Sequence, residues 1–196
     1  YCALRREILT DVQRTISEAR SLGSSILTYR AMEHMSRNKP TIEQLGIICR
    51  TARELMKAGQ TQNAAIRQLE EQAEWYARAH HFGMTNLPAI TKLPLWSVAA
   101  REAYNADPTR RTDSYLRKEH GTPRRAFALL VLALCDENKL TETTMNELCD
   151  QRWKVAVITH EEDARMYQLK LRSNLMETPH ARWAACGIEV CQTSVS

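Results

Sequence analysis

The chain has 196 residues, of which 43% are hydrophobic and 26% charged, with only six glycines and six prolines. This composition excludes disordered and fibrous proteins and indicates a folded, helix-rich chain long enough to bury a core. The net charge of +4 excludes a histone-like, strongly basic protein. The positions of the charges are therefore more informative than their sum.

Six cysteines are present, without a Cys-x-x-Cys pair. A chain of this length does not need a disulfide framework, so we expect reduced, intracellular thiols that act as small hydrophobes. The longest apolar run, residues 126–135, is about half as long as a membrane-spanning helix. The sequence therefore predicts no transmembrane segment.

Glycine, proline and capping residues divide the first half of the chain into helices. Thr41 and Gln44 form a capping-box pattern at the start of one of them, and Gly59 and Gly83 follow two others. Apolar stripes of helical period predict helices over residues 4–19, 24–37, 42–58 and 62–81.

Residues 85–94 contain two prolines and no regular hydrophobic period. This pattern is typical of a linker. We therefore predict an N-terminal helical domain over residues 1–84 and a C-terminal helical domain over residues 95–196.

Capping signals continue through the second half, where a short helix is predicted from Pro94 to Tyr104. Further helix starts are predicted at Asp107-Pro108, Thr122-Pro123, Thr141, the Thr159/Glu162 capping box and Thr178-Pro179. Neither a period-two alternation nor an Asn-Gly hairpin signal is present. The prediction is an all-α fold of about eight or nine short helices in two bundle-like halves.

The constellations that identify common enzymes are missing from the sequence. There is no glycine-rich phosphate loop, no Gly-x-Ser-x-Gly elbow and no His-Glu-x-x-His motif. The segment "HEEDA" at residues 160–164 lacks the second histidine, and acidic residues there suit the first turn of a helix. We predict no catalytic residues, no metal and no cofactor, and hence a protein that is not an enzyme.

Histidines and cysteines offer weaker alternatives. His80 and His81 are predicted at a helix C-terminus, where a cationic ring is favourable, which competes with a catalytic interpretation. Zinc is able in principle to gather Cys135, Cys149 and His160, but buried hydrophobic thiols are the preferred interpretation. The four tryptophans are spread singly, as core anchors are.

In the basic stretch "DPTRRTDSYLRKEHGTPRR", residues 107–125, the part from Pro108 to Arg125 carries six cations and two acids, a net charge equal to the +4 of the whole chain. If residues 108–119 form a helix, four of its cations fall within an arc of about 120°. Two arginines then occupy the first turn of the next helix, where cations oppose the dipole. The six candidate anion-binding residues are Arg110, Arg111, Arg117, Lys118, Arg124 and Arg125.

Two interpretations of this patch stay open, a solvated surface and an anion-binding surface for lipid headgroups or a phosphodiester backbone. Each cation near an anionic leaflet contributes roughly 1 kcal/mol. One copy would therefore bind weakly and in a salt-dependent way, and an array of copies would bind more tightly. No aromatic or base-reading group accompanies the cations, so nucleic acid would be bound without sequence preference.

Residues 126–166 resemble the matrix proteins of orthomyxoviruses, the influenza-type viruses. The resemblance rests on an apolar helix, a Thr-rich turn, a second helix ending in "LC", and a histidine eleven positions after that cysteine. Cys149 and His160 match the first Cys and first His of the family's zinc-type cluster. Arg152 and Asp163 stand where its second Cys and second His would be, which makes a zinc site doubtful.

The resemblance implies a virion protein of two all-helical subdomains beneath the membrane. It implies an anionic lipid surface, other copies of the chain and the viral ribonucleoprotein or RNA as partners. Localisation would be the virion, the host cytoplasm and inner face of the plasma membrane, or the nucleus. The leading hypothesis is a self-associating viral matrix protein that binds the inner leaflet. The alternative is a helical RNA-binding or nucleocapsid-type protein that uses the same six residues on phosphates.

Overall fold

The structure, a computed structural model, describes residues 39–192, which form eight helices and four strands. The helices are α1 (Ile42–Lys57), α2 (Gln62–Ala65), α3 (Arg67–Phe82), α4 (Val98–Ala106), α5 (Arg124–Asp136), α6 (Glu142–Arg152), α7 (His160–Gln168) and α8 (Pro179–Ala184). The strands are β1 (Leu95–Ser97), β2 (Leu116–His120), β3 (Val155–Thr159) and β4 (Val190–Gln192).

The strands form one mixed sheet in the order β2-β3-β1-β4, in which β1 is parallel to β3 and the other pairs are antiparallel. The all-α prediction is therefore wrong, and the fold is mixed α/β. Every residue of the central strand β3 is buried. A strand buried on both faces reads as an unbroken apolar run without period-two alternation, which is why the segment "VAVIT" gave no strand signal.

Helices cover both faces of the sheet. On one face, Trp96, Leu116 and Val157 belong to a large core that also includes side chains of α1, α3, α5 and α6. On the other face, Ala156 and Ile158 belong to a smaller core with residues of α7 and α8. Successive strand residues therefore enter different cores, which fixes the register of the sheet.

Several predicted helix starts are confirmed. Capping boxes open α1 at Thr41 and α7 at Thr159, and the Thr178 hydroxyl accepts a hydrogen bond from the amide of Ala181 at 3.0 Å in α8. The helix predicted over residues 62–81 is divided at the fully buried Ile66. The helices predicted over residues 4–19 and 24–37 lie outside the described residues.

The helix predicted over residues 108–119 is wrong. The Asp107 carboxylate accepts hydrogen bonds from the backbone amides of Thr109 and Arg110, which closes a tight turn. A short 3₁₀ segment, Thr112–Ser114, follows and leads into β2. Pairing of Leu116 through His120 with β3 outweighs the local helix signal. The helix predicted from Pro94 likewise begins only at Val98, after β1.

Side chains from both sides of residues 85–94 contribute to the larger core, including Leu69 and Tyr76 before this stretch and Phe127 and Met145 after it. Part of the predicted first domain lies outside the described residues. The division at residues 85–94 therefore stays a prediction.

The buried guanidinium of Arg182 joins β2 to the connection between α7 and α8. It donates to the carboxylate of Glu119 at 2.9 Å and to the backbone carbonyls of Leu171 at 2.8 Å and Arg172 at 2.7 Å. It also donates to the carbonyl of His120. Each of its three nitrogens therefore has an acceptor, so burial of the charge is compensated.

A second polar contact connects the two parallel strands. The hydroxyl of Ser97, at the end of β1, donates to Glu162 Oε2 at 2.6 Å and accepts from the amide of Ala100 at 3.0 Å. Glu162 Oε2 also accepts from the amide of Thr159 at 2.8 Å. One buried carboxylate thus links the starts of α4 and α7.

We expect Gly121→Ala to destabilise the fold. A Cβ at residue 121 would collide with the Cβ of Pro179 and lie 3.0 Å from the Trp183 ring, both in α8. Overpacking of this kind costs about 1–3 kcal/mol. Urea unfolding followed by circular dichroism measures the loss.

Gly46→Ala in α1 is the matched control. Its nearest contact would be the flexible end of Arg50 at 3.4 Å, and alanine favours a helix interior by up to about 1 kcal/mol. A Gly121→Ala variant as stable as Gly46→Ala would contradict the close packing of α8 on the end of β2.

Candidate anion-binding surface

The six predicted basic residues do not form one ridge. Arg117 and Lys118 are consecutive residues of β2, so their side chains leave opposite faces of the sheet. Arg117 pairs with Asp163 of α7 at 2.9 Å, and the Lys118 ammonium donates to the carbonyl of Pro88. Because β2 lies at the edge of the sheet, both faces beside it are near solvent.

The first group of cations, named here the Asp163 face, consists of Arg110, Arg111, Arg117 and Arg172 with the carboxylate of Asp163. Arg117 and Arg172 both pair with Asp163, at 2.9 Å and 3.2 Å. Arg111 pairs with Asp113 at 2.6 Å. The Arg110 guanidinium lies 4.4 Å from the centroid of the Tyr115 ring. Two carboxylates, Asp163 and Asp113, therefore neutralise half of the charge of the four arginines.

An open cavity of about 440 Å³ lies within the Asp163 face. Arg117 and Arg172 line it together with His160, Gln168 and Tyr167. Tyr167 is 69% exposed, an unusual state for an aromatic ring of this size. The cavity thus combines guanidinium donors with a ring on which a planar group can stack.

The second group, named here the Glu74 face, consists of Arg78, Lys118 and Arg124 around Glu74 of α3, which is only 2% exposed. Arg78 and Arg124 bind different oxygens of this carboxylate. His120 Nε2 lies 2.8 Å from Glu74 Oε1. Three cations around one carboxylate leave this face with excess positive charge even when His120 is neutral.

The charges of the Glu74 face change the titration of its members. Burial alone would raise the pKa of Glu74, but the hydrogen bond and charge of His120, with Arg78 and Arg124, outweigh it and hold the pKa below its ordinary value. Burial lowers the pKa of Lys118, and the nearby Arg78 guanidinium lowers it further. Arg78 and Lys118 are therefore close enough to repel each other.

The start of α5 adjoins the Glu74 face. Arg124 and Arg125 occupy the first turn, as predicted. Pro123, rather than Thr122, is the N-cap, and it provides no side-chain hydrogen bond to the helix. Arg125 donates to Gln62 at 3.2 Å. The positive end of this helix dipole is thus flanked by cations, an arrangement that an anion would stabilise.

The organising residues of both faces were missed in the sequence. Glu74 and Arg78 lie on α3, Asp163 lies on α7 and Arg172 lies in the connection after α7, all of them far from residues 107–125 along the chain. The spacing of Glu74 and Arg78, one helical turn apart, indicates an ion pair but not its burial. The pairing of β2 with β3 brings Asp163 to Arg117, and the packing of α3 in the larger core brings Glu74 and Arg78 to the other face of β2.

Two of the three residues considered for a zinc site, Cys149 and His160, are separated from each other in the structure. Cys149 precedes β3 and His160 follows it, so the length of the strand lies between them. Burial raises the pKa of the Cys149 thiol to about 12, which disfavours a metal-binding thiolate. The "HEEDA" segment forms the acidic first turn of α7, as predicted.

The chain matches no protein-family model, and no curated protein or solved structure is significantly similar to it. Within residues 39–192, no helix has the length and apolar character needed to cross a bilayer.

We expect Glu74→Gln to destabilise the fold at neutral pH by about 2 kcal/mol, because Arg78 and Arg124 lose their carboxylate. The partial exposure of these arginines keeps the loss below that of a fully buried pair. A carboxylate with a lowered pKa stabilises the folded state above the unfolded-state pKa, and this contribution disappears as pH falls through the folded-state pKa.

The stability difference between the wild type and Glu74→Gln should therefore shrink as pH falls below the ordinary value of 4.5. Urea unfolding between neutral and acidic pH measures it. Glu71→Gln, at an exposed position of the same helix, is the control and should change stability by less than about 0.5 kcal/mol. A difference independent of pH would contradict an ionised Glu74.

Proposed function

We propose that the protein is a non-enzymatic binder of single-stranded RNA, which it holds by its phosphates along both sides of strand β2. The observation that carries this proposal is the position of Arg117 and Lys118 on opposite faces of an edge strand. A planar lipid leaflet can touch only one of these faces at a time. A flexible single strand can follow the cations around the edge.

The exposed Tyr167 ring gives the proposal further support. It lines the same cavity as Arg117 and Arg172. Single-stranded nucleic acids bind by phosphate contacts to cations and by stacking of bases on aromatic or guanidinium planes. A cavity of about 440 Å³ has the volume of a typical small-ligand site and is large enough for one base.

The ion pairs limit the strength of this binding. Arg111, Arg117 and Arg124 already have carboxylate partners. Within residues 39–192, Arg110, Lys118 and Arg125 have no carboxylate at ion-pair distance. About three phosphate contacts correspond to a slope of about −2 in a plot of log K against log salt. Weak, sequence-independent and salt-sensitive binding is therefore expected of one copy.

The matrix function predicted from the sequence, with an anionic membrane surface and other copies of the chain as partners, stays a second proposal. The Glu74 face and the first turn of α5 favour it, because they carry the larger excess of positive charge. The two proposals differ in how many faces of β2 they use.

Binding of a fluorescent single-stranded oligoribonucleotide across a salt series tests the first proposal. Arg110→Gln removes one cation from the Asp163 face, and Arg125→Gln removes one cation beside the Glu74 face. Both side chains are exposed and lack a buried acidic partner. Each variant should lower the salt slope by about 0.7, because each removes one phosphate contact.

Arg50→Gln, an equal charge change at an exposed position of α1, is the control and should leave the slope unchanged. Co-sedimentation with phosphatidylserine vesicles is the competing measurement. If the protein binds vesicles more strongly than RNA, and only one of the two substitutions weakens vesicle binding, then the partner is a membrane and not RNA. Equal losses in all three variants would show that only net charge matters, and would reject the site.

A further inference from the structure

A second cluster of polar side chains lies where the C-terminal ends of α3 and α6 meet. His80 and His81 are in the last turn of α3, and Asp150 is in the last turn of α6. His80 Nε2 lies 2.9 Å from Asp150 Oδ1. One potential ligand atom from each of the three side chains lies within 4.8 Å of the other two.

The ring of His81 is held in place by its surroundings. It stacks on Trp153 with a centroid distance of 5.4 Å and an interplanar angle of 13°. Its Nε2 lies 3.2 Å from the carbonyl oxygen of Cys149, an acceptor that requires an N–H donor. A histidine that ligates a metal commonly donates its other ring N–H to such a carbonyl, which fixes the tautomer and orientation.

The donor set determines which cation fits. Two imidazole nitrogens and one carboxylate oxygen favour zinc and similar first-row transition ions over magnesium or calcium, which take oxygen ligands. Bond lengths of 2.0–2.2 Å in a tetrahedral site place ligand atoms roughly 3.3 Å apart. His80 and Asp150 are already closer than this, and the third ligand atom lies within 4.8 Å of both, so binding requires His80 and Asp150 to turn toward the fixed His81 ring.

We propose that His80, His81 and Asp150 form a binding site for a divalent transition-metal ion of the zinc type. The ion would take the place of the proton between His80 and Asp150. Three protein ligands leave a fourth position of a tetrahedral zinc open to water or another ligand. His81 also lines a cleft of about 190 Å³ with Trp153, Lys154 and His180.

The charge of Lys154 opposes the binding of a cation, so the affinity should be moderate. In a metal-free chain, the same three side chains would form only a surface ion pair beside a stacked ring. The two alternatives differ in a measurable way, because a metal site binds one metal ion per chain and a surface ion pair does not.

Cobalt(II) titration of the full chain after treatment with a chelator tests the proposal. We expect one Co²⁺ per chain with visible absorption bands, and displacement of the Co²⁺ by Zn²⁺. His80→Gln and Asp150→Asn should each lower the affinity about tenfold or more. Asp150 is 62% exposed at its side chain, so its substitution should leave the circular dichroism spectrum unchanged.

Two control variants separate the site from its surroundings. Glu147→Gln changes an exposed acid one turn earlier on α6, and His180→Gln changes another histidine of the adjacent cleft. Both should bind Co²⁺ like the wild type.

Absence of saturable binding, or binding unaffected by His80→Gln and Asp150→Asn, would overturn the proposal. Equal loss in His180→Gln would also overturn the assignment of these three ligands. RNA binding is measured separately, so failure of one proposal leaves the other testable.

Discussion

The guanidinium of Arg182 joins the end of strand β2 to the connection between helices α7 and α8 by hydrogen bonds inside the protein. Its acceptors belong to the end of β2 and to the connection between α7 and α8. A buried charge is tolerated only where its donors are paired, so these segments cannot separate without leaving a cation in the core. Together with its pairing to β3, this contact fixes the position of the edge strand β2. The positions of the Arg117 and Lys118 side chains, which point to opposite faces of the sheet, follow from the position of this strand.

Two buried carboxylates organise the cations beside this strand. Asp163 and Glu74 each hold more than one arginine, and each lies on a helix that covers a different face of the sheet. Pairing fixes the positions of the guanidinium groups but reduces the charge available to a partner. Electrostatic attraction here is therefore smaller than a count of basic residues along the sequence indicates, and geometry becomes the better guide to the kind of anion.

Local signals predicted the helices well, because capping is a short-range interaction. The starts of α1, α7 and α8 follow from a threonine and its neighbours within one turn. The sheet was not predictable in this way. β1 has three residues, β3 is buried on both faces, and β2 carries charges that read as a helix surface. The six basic residues were predicted from charge alone, whereas Asp163 required the pairing of β2 with β3 and Glu74 required the packing of α3.

The pairing of β1 with two strands that come much later in the chain has a consequence for how the chain folds. Leu95 of β1 lies opposite Ala156 of β3, and Trp96 lies opposite Cys191 of β4. Contacts between residues this distant in sequence require large loops to close and slow folding. During synthesis β1 leaves the ribosome long before either partner strand exists. β1 has only three residues, and its short length limits the risk of aggregation while it is unpaired.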